Sequence, residues 1–172
     1  LFGAKDHVRV KTAITTSYIS VIALSIVLTF FGVLACDWML NTISTPAHLF
    51  HLSETYLDIY IYGLIFLFLY NVSTGIFAAL GDTKTPFYFL LFSSTLNIIL
   101  DIAFVVLLDM GIAGLAWATF LCQGLSAILA MTSLFRKHKD ITRQVVAPIF
   151  SGKILKKIIS VAIPSMCQQS FV

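Results

Sequence analysis

The chain has 172 residues, of which 59% are hydrophobic and only 11% charged, and its formal net charge at pH 7 is +3. Soluble domains carry about 25% charged and 45–50% apolar residues, so this composition excludes a water-soluble globule. Disorder is excluded as well, because a chain with few charges and abundant Phe and Ile does not stay solvated. The composition predicts an integral membrane protein with an all-α, polytopic fold.

Four stretches are long and apolar enough to cross a bilayer as helices, for which about 20 residues are needed. The predicted spans cover about residues 12–36, 59–81, 87–108 and 110–135. A fifth apolar stretch, residues 158–172, is too short to cross. Because the first residue is Leu1 rather than an initiator Met, and the last lies within an apolar stretch, we expect a fragment of a larger polytopic protein.

The positions of the basic residues indicate the orientation of the spans. All 11 Lys and Arg residues lie before the first span, between the second and third, or after the fourth, which is one side of an alternating topology. The two connections on the other side contain none. By the positive-inside rule we expect the basic loops of this multi-pass protein to be cytoplasmic.

Turn residues mark three helix boundaries. Thr45 and Pro46 predict a helix start, with Thr45 as the N-cap and Pro46 at the first helical position. Gly81 is expected to end the second span as a left-handed cap, and Thr85-Pro86 to begin the third. These signals predict a tight cytoplasmic hairpin between the two spans.

Asp101 is the one residue among Asp, Glu, Lys and Arg that lies inside the predicted spans. An ionised carboxylate at the bilayer centre costs about 2.5–3.5 kcal/mol on insertion scales, and such residues usually face the interior of a bundle. Asn97 lies one turn earlier on the same face, and Ser94 extends this polar stripe. Asp101 is therefore expected to bind a proton or a hard cation such as Na⁺. In the alternative, a neutral Asp101 hydrogen-bonds a neighbouring helix or reaches the outer interface.

Two other spans carry polar residues whose role the sequence leaves open. Thr119, Gln123 and Ser126 share a face of the fourth span, and Asn71 shares a face of the second span with Gly75. Each set suits either the lining of a cavity or hydrogen bonding between helices.

No pattern predicts an enzyme or a metal centre. A group of potential metal ligands at helical spacing in the outer connection more readily forms the wet polar face of an interfacial helix: His48, His51, Glu54 and Asp58. The three cysteines show no paired spacing. No nucleophile–base arrangement accompanies Asp101, so neither catalytic residues nor a cofactor are expected.

Several segments together resemble one transporter family. The turn Gly-Asp-Thr-Lys-Thr-Pro at residues 81–86 and the segment Leu-Asn-Ile-Ile-Leu-Asp at 96–101 are the most specific. Further similar segments lie at residues 56–60, 68–71, 111–119 and 163–170. The chain resembles the MATE (multidrug and toxic compound extrusion) family over nearly its whole length. It departs at Ala78, where an Arg is common in the family.

The resemblance implies a twelve-helix transporter with two lobes. Residues 1–135 would belong to the amino-terminal lobe as its helices three to six, 136–157 would be a basic cytoplasmic linker, and 158–172 would begin the other lobe. It also implies antiport, in which drugs or toxic organic cations leave the cell in exchange for H⁺ or Na⁺. Asp101, Asn97 and Thr119 would then form the proton or Na⁺ site, and Asn71, Gln123 and Ser94 would line the cavity. A further carboxylate of this site would come from a first helix that the chain lacks.

Three other interpretations compete with the antiporter. A lipid-linked oligosaccharide flippase of the same superfamily should have a strongly basic cavity, yet no basic residue is predicted within the membrane here. A membrane-embedded enzyme would need more than Asp101 and Asn97, and a structural subunit would leave Asp101 unexplained. The expected partners are the lipid bilayer and a small organic cation or amphipathic drug, with no nucleic acid. The full-length protein is expected to be a monomer in the cell membrane.

Overall fold

A computed structural model describes residues 7–139 and 146–170 of the chain. The helices with described bounds are α1 (His7–Thr42), α2 (Ala47–Ala79), α3 (Lys84–Ile102), α4 (Gly111–Lys137) and α5 (Gly152–Ser170). A π-helical segment, Ala103–Leu107, continues α3. No strand occurs in the described ranges. The fold is all-α, as the composition predicts.

Four helices are long and apolar enough to cross a membrane: α1, α2, α3 with its π-helical extension, and α4. Each predicted span coincides with one of them, which confirms a multi-pass helical membrane protein. The first two helices extend further than their apolar stretches, and the connection between them is only residues 43–46. Polar residues on both sides of this connection are helical, since the main-chain hydrogen bonds of α1 and α2 continue past the apolar stretches.

The connection between α1 and α2 uses a residue in the left-handed conformation. Ser44 has φ 56°, its N–H donates to the carbonyl of Asn41 at 3.0 Å, and the N–H of Thr45 donates to the carbonyl of Leu40 at 3.1 Å. This is the hydrogen-bond pattern of a Schellman cap. Pro46 is the N-cap of α2, which has no side-chain cap. The prediction of Thr45 as N-cap is therefore wrong by one residue.

The turn between α2 and α3 has the predicted glycine cap and an unpredicted aspartate cap. Gly81 has φ 84°, and the N–H of Asp82 donates to the carbonyl of Phe77 at 2.9 Å, which completes a second Schellman cap. The Asp82 carboxylate accepts hydrogen bonds from the N–H and the hydroxyl of Thr85, at 3.1 and 2.7 Å. The helix α3 begins at Lys84 with Thr83 as its N-cap, before the predicted start at Thr85, and Asp82 satisfies the main-chain N–H of Thr85 in its first turn.

Val21–Leu134 form one compact unit, in which small residues allow close helix contacts. A methyl group added at Gly32 of α1 would lie 3.1 Å from the side chain of Ile61 on α2. One added at Gly124 of α4 would lie 3.5 Å from the ring of Phe66 on α2. The Phe66 ring also packs edge-on against Phe120 of α4, with ring centroids 5.3 Å apart.

The π-helical segment contacts the first turn of α4. A methyl group added at Gly114 would approach the Cβ and the carbonyl carbon of Phe104 to 3.1 and 3.2 Å. The N–H of Met110 donates to the carbonyl of Phe104, and Asp109 adopts φ 52°. The short turn therefore fixes the π-helical extension of α3 against the start of α4.

The residues that precede Val21 and those that follow Leu134 in the sequence together form a second compact unit. In it, Tyr18 of α1 stacks on Phe135 of α4 with ring centroids 5.9 Å apart. The N–H of Ser151 donates to the hydroxyl of Thr16 at 3.2 Å. The helix α5 begins at Gly152, inside the segment 136–157 that the sequence predicts as a linker, and contains Pro164.

Candidate functional site

Asp101 and Asn97 lie one turn apart on the same face of α3, near its junction with the π-helical segment. Both residues are half-buried. The Oδ1 atom of Asp101 and the Nδ2 atom of Asn97 are shielded from solvent, and no described residue hydrogen-bonds either atom. A buried polar atom left unpaired costs about 1–3 kcal/mol, and more when the group is charged. Within the described part of the chain, Oδ1 of Asp101 thus lacks the partner that a buried acceptor usually has.

The face of α4 opposite this pair carries Cys122. Its thiol is buried and lies beside the amide of Asn97, within range of the charge on Asp101. This contact shows which faces of α3 and α4 meet at the level of the pair. The sequence places Cys122 only in a stripe of small residues, because its proximity to Asn97 depends on how the two helices pack.

Two hydroxyl residues continue the face of α4 that carries Cys122. Thr119 lies three residues earlier and is half-buried, whereas Ser126 lies four residues later and is 4% exposed. The Ser126 hydroxyl is shielded from solvent and has no hydrogen-bond partner in the described part of the chain. Polar groups thus follow one another along this face of α4, at the helical spacing that brings residues three or four apart into line.

The three predicted cavity-lining residues lie in different surroundings. The Oε1 atom of Gln123 is 3.2 Å from the position of a methyl group added at Gly63 of α2, so its side chain lies in the contact between α2 and α4. Asn71 is exposed and donates to the carbonyl of Leu67 in its own helix at 2.9 Å. Ser94 is exposed on α3. Each of these three side chains therefore lies in a different environment.

The pair lies next to an irregular part of its helix. The π-helical hydrogen bonding begins at Ala103, two residues after Asp101, and the N–H of Leu108 donates to the carbonyl of Ala103 at 3.1 Å. Short π-helical insertions occur frequently at functional sites. The apolar sequence of this segment gives no sign of the change in hydrogen bonding.

Two apolar grooves and an ion pair in the unit Val21–Leu134 do not include Asp101 or Asn97. Apolar grooves of about 450 and 380 Å³ lie elsewhere: the first is lined by Ile26, Thr29, Phe30, Val33, Leu34, Tyr62 and Ile65, the second by Met39, Leu40, Ile43, Thr45, Ser53, Tyr56, Leu57 and Ile112. Within the described ranges, no group of three or more His, Cys, Asp or Glu side chains is arranged to hold a metal ion. His51 pairs with Glu54, with Nδ1 and Oε2 3.4 Å apart.

Comparison with known proteins identifies the family. The MatE family profile matches residues 1–103, more than half of the chain. A probable multidrug resistance protein of Bacillus subtilis (strain 168), YpnP, is 39% identical over 108 residues, which are 63% of this chain and 24% of that protein. Another from the same organism, YoeA, is 32% identical over 142 residues, 80% of this chain and 30% of that protein. The chain thus spans less than a third of either relative.

Solved structures of transporters share the fold. The inward-facing conformation of a multidrug resistance MATE family transporter of the MOP superfamily matches with a TM-score of 0.86 and 28% identity, over 95% of this chain and 38% of that one. An outward-facing conformation matches with a TM-score of 0.84 and 28% identity, over 97% of this chain and 37% of that one. These matches confirm the resemblance found in the sequence. The chain belongs to the MatE family of multidrug transport proteins.

Proposed function

We propose that the parent protein is a secondary active antiporter that exports drugs or toxic organic cations in exchange for H⁺ or Na⁺. Within it, residues 1–135 form part of the amino-terminal lobe, 136–157 the inter-lobe linker, and 158–172 the beginning of the second lobe. The protein acts in the cell membrane with its basic loops in the cytoplasm. The drug-resistance names of its relatives support export of drugs rather than flipping of a lipid-linked oligosaccharide.

One observation carries the coupling part of this proposal: the Oδ1 atom of Asp101 is shielded from solvent and has no hydrogen-bond partner among the described residues. A carboxylate with one oxygen shielded in this way gains from a positive charge brought to that oxygen, because water stabilises the group less than it stabilises a fully exposed carboxylate. A proton neutralises the group, and Na⁺ pairs with it through oxygen ligands. Either ion would bind at Asp101 with Asn97 and Thr119 as its neighbours.

Binding of the ion would change which arrangement of helices is favoured. The ionised form of Asp101 favours a packing that leaves the site open to water or to a cationic substrate, and the neutralised form favours a closed, drier packing. Because the ion and the cationic drug both compensate the same negative charge, binding of one weakens binding of the other. This competition is the physical basis of the exchange.

Dye export by the parent protein in drug-sensitive cells tests the proposal. We expect wild-type cells to expel a fluorescent cationic dye, and to stop when an ionophore collapses the proton gradient or the Na⁺ gradient, whichever drives export. Asp101→Asn should reduce export at least about tenfold, since the amide cannot gain or lose the charge.

Asp109→Asn is the matched control. Asp109 is exposed at the end of the same span and adopts φ 52°, a conformation that Asn tolerates. The Asp109→Asn variant should export dye at the wild-type rate. Equal export by the Asp101→Asn and wild-type proteins, at equal amounts in the membrane, would contradict the assignment of coupling to Asp101.

A further inference from the structure

The segment that precedes α5 exposes large apolar side chains. Val146, Ile149 and Phe150 are 95%, 72% and 48% exposed, in a stretch of non-helical backbone. Isolated apolar residues are common on protein surfaces, but three within five residues of a non-helical segment form a concentrated apolar surface. These side chains therefore require an apolar environment that lies close to the segment.

Three exposed lysines follow directly. Lys153, Lys156 and Lys157 are spaced three and four residues apart in the first turns of α5, so they lie on one face of the helix. Among the described residues of the unit that contains α5, there is no Asp or Glu. The apolar segment is therefore flanked by concentrated positive charge, which favours an anionic partner.

A hydrogen bond holds this surface beside a membrane span. The N–H of Ser151, between the apolar segment and the lysines, donates to the hydroxyl of Thr16 at 3.2 Å. Thr16 is fully buried on α1, about 6 Å along the helix from Thr12, where the uncharged stretch of the first span begins. The connection to the start of a span places the segment at the depth of the membrane surface.

We propose that Val146–Phe150 and the three lysines form a binding site for anionic phospholipids. The apolar side chains enter the boundary between headgroups and acyl chains, and the ammonium groups contact the lipid phosphates. One partner, the phospholipid of the surrounding membrane, then covers the apolar side chains and neutralises the lysines. The proposal does not depend on the transported substrate or on the coupling ion.

Native mass spectrometry of the parent protein tests it. The purified protein is equilibrated with equal amounts of phosphatidylglycerol and phosphatidylcholine, and the bound lipids are counted. We expect phosphatidylglycerol to be retained over phosphatidylcholine by at least about threefold. The triple variant K153Q/K156Q/K157Q should lose most of this preference, whereas Lys84→Gln, which removes a charge from the hairpin between α2 and α3, should keep it.

A second variant separates the apolar part from the charged part. The double substitution Ile149→Ser and Phe150→Ser should reduce retention of both lipids, because the insertion into the acyl boundary does not distinguish headgroups. Lipid bound at other sites on the protein is the same in all variants, so it cancels when the variants are compared. An unchanged preference for phosphatidylglycerol in the triple variant, with the protein folded, would overturn the proposal.

Discussion

The two helices that carry the candidate site, α3 and α4, differ in how many of their residues are buried within the described part of the chain. Nine residues of α4 are buried, mostly small ones: Gly114, Ala116, Ala118, Cys122, Gly124, Ser126, Ala127, Ala130 and Leu134. None of the residues of α3 is buried. Packing stabilises α4 along its length, whereas α3 has large apolar side chains exposed on it. The helix that carries Asp101 therefore depends less than α4 on contacts within the described part of the chain.

Contacts at its two ends hold α3 instead. At one end the Asp82 carboxylate caps its first turn, and at the other Phe104 packs against Gly114. Between these ends, the amide of Asn97 lies beside the thiol of Cys122 on α4. A helix fixed at its ends and loosely packed between them can respond to the charge of a single buried group.

The largest effect on stability is expected where α4 is packed most tightly. Gly114→Ala should destabilise the protein by about 1–3 kcal/mol, because the new methyl group would lie 3.2 Å from the main chain of Phe104 and 3.1 Å from its Cβ, so the backbone must shift to accept it. Gly75→Ala is the control, since nothing lies within 4 Å of a methyl group there. Thermal unfolding of the purified parent protein should show a lower Tm for Gly114→Ala only. Equal Tm values for the two variants would show that the junction is not tight.

Removal of the cap of α3 should have a smaller effect. Asp82→Ala deprives Thr85 of two hydrogen bonds and should cost about 0.5–2 kcal/mol. Asp82→Asn retains one carbonyl oxygen as acceptor and should cost less. Hydrogen exchange at the first turn of α3 measures both changes. If the two variants exchanged at the same rate, the side chain of Asp82 would not be the cap.

The smallest effect is expected at the connection before α2. Ser44→Gly should stabilise the protein by a few tenths to about 1 kcal/mol, because φ 56° is strained for a residue with a side chain. The reciprocal change, Gly81→Ser, places a side chain at φ 84° and should destabilise by a similar amount or slightly more. The two Tm shifts should therefore have opposite signs, and shifts of the same sign would contradict the assigned backbone conformations.

The spans could be predicted from sequence because hydrophobicity over about 20 residues depends on composition alone. The Gly81 cap was predictable for a similar reason, since few residues adopt a positive φ readily. Ser44 and Asp82 could not be singled out, because Ser and Asp suit many turns. The contact between Asn97 and Cys122 depends on the packing of two helices, and neither residue alone indicates the other. Asp101, in contrast, stands out because a charge within an apolar span needs a reason.

A measurement of ion flux driven by substrate tests whether Asp101 binds the coupling ion. The parent protein is reconstituted in liposomes, a gradient of a cationic dye is imposed, and the movement of H⁺ and of Na⁺ is recorded separately. We predict that the dye gradient drives a flux of one of the two ions through wild type and Asp109→Asn, and none through Asp101→Asn. A dye-driven flux of undiminished size through Asp101→Asn would contradict the account and place the ion site elsewhere in the parent protein.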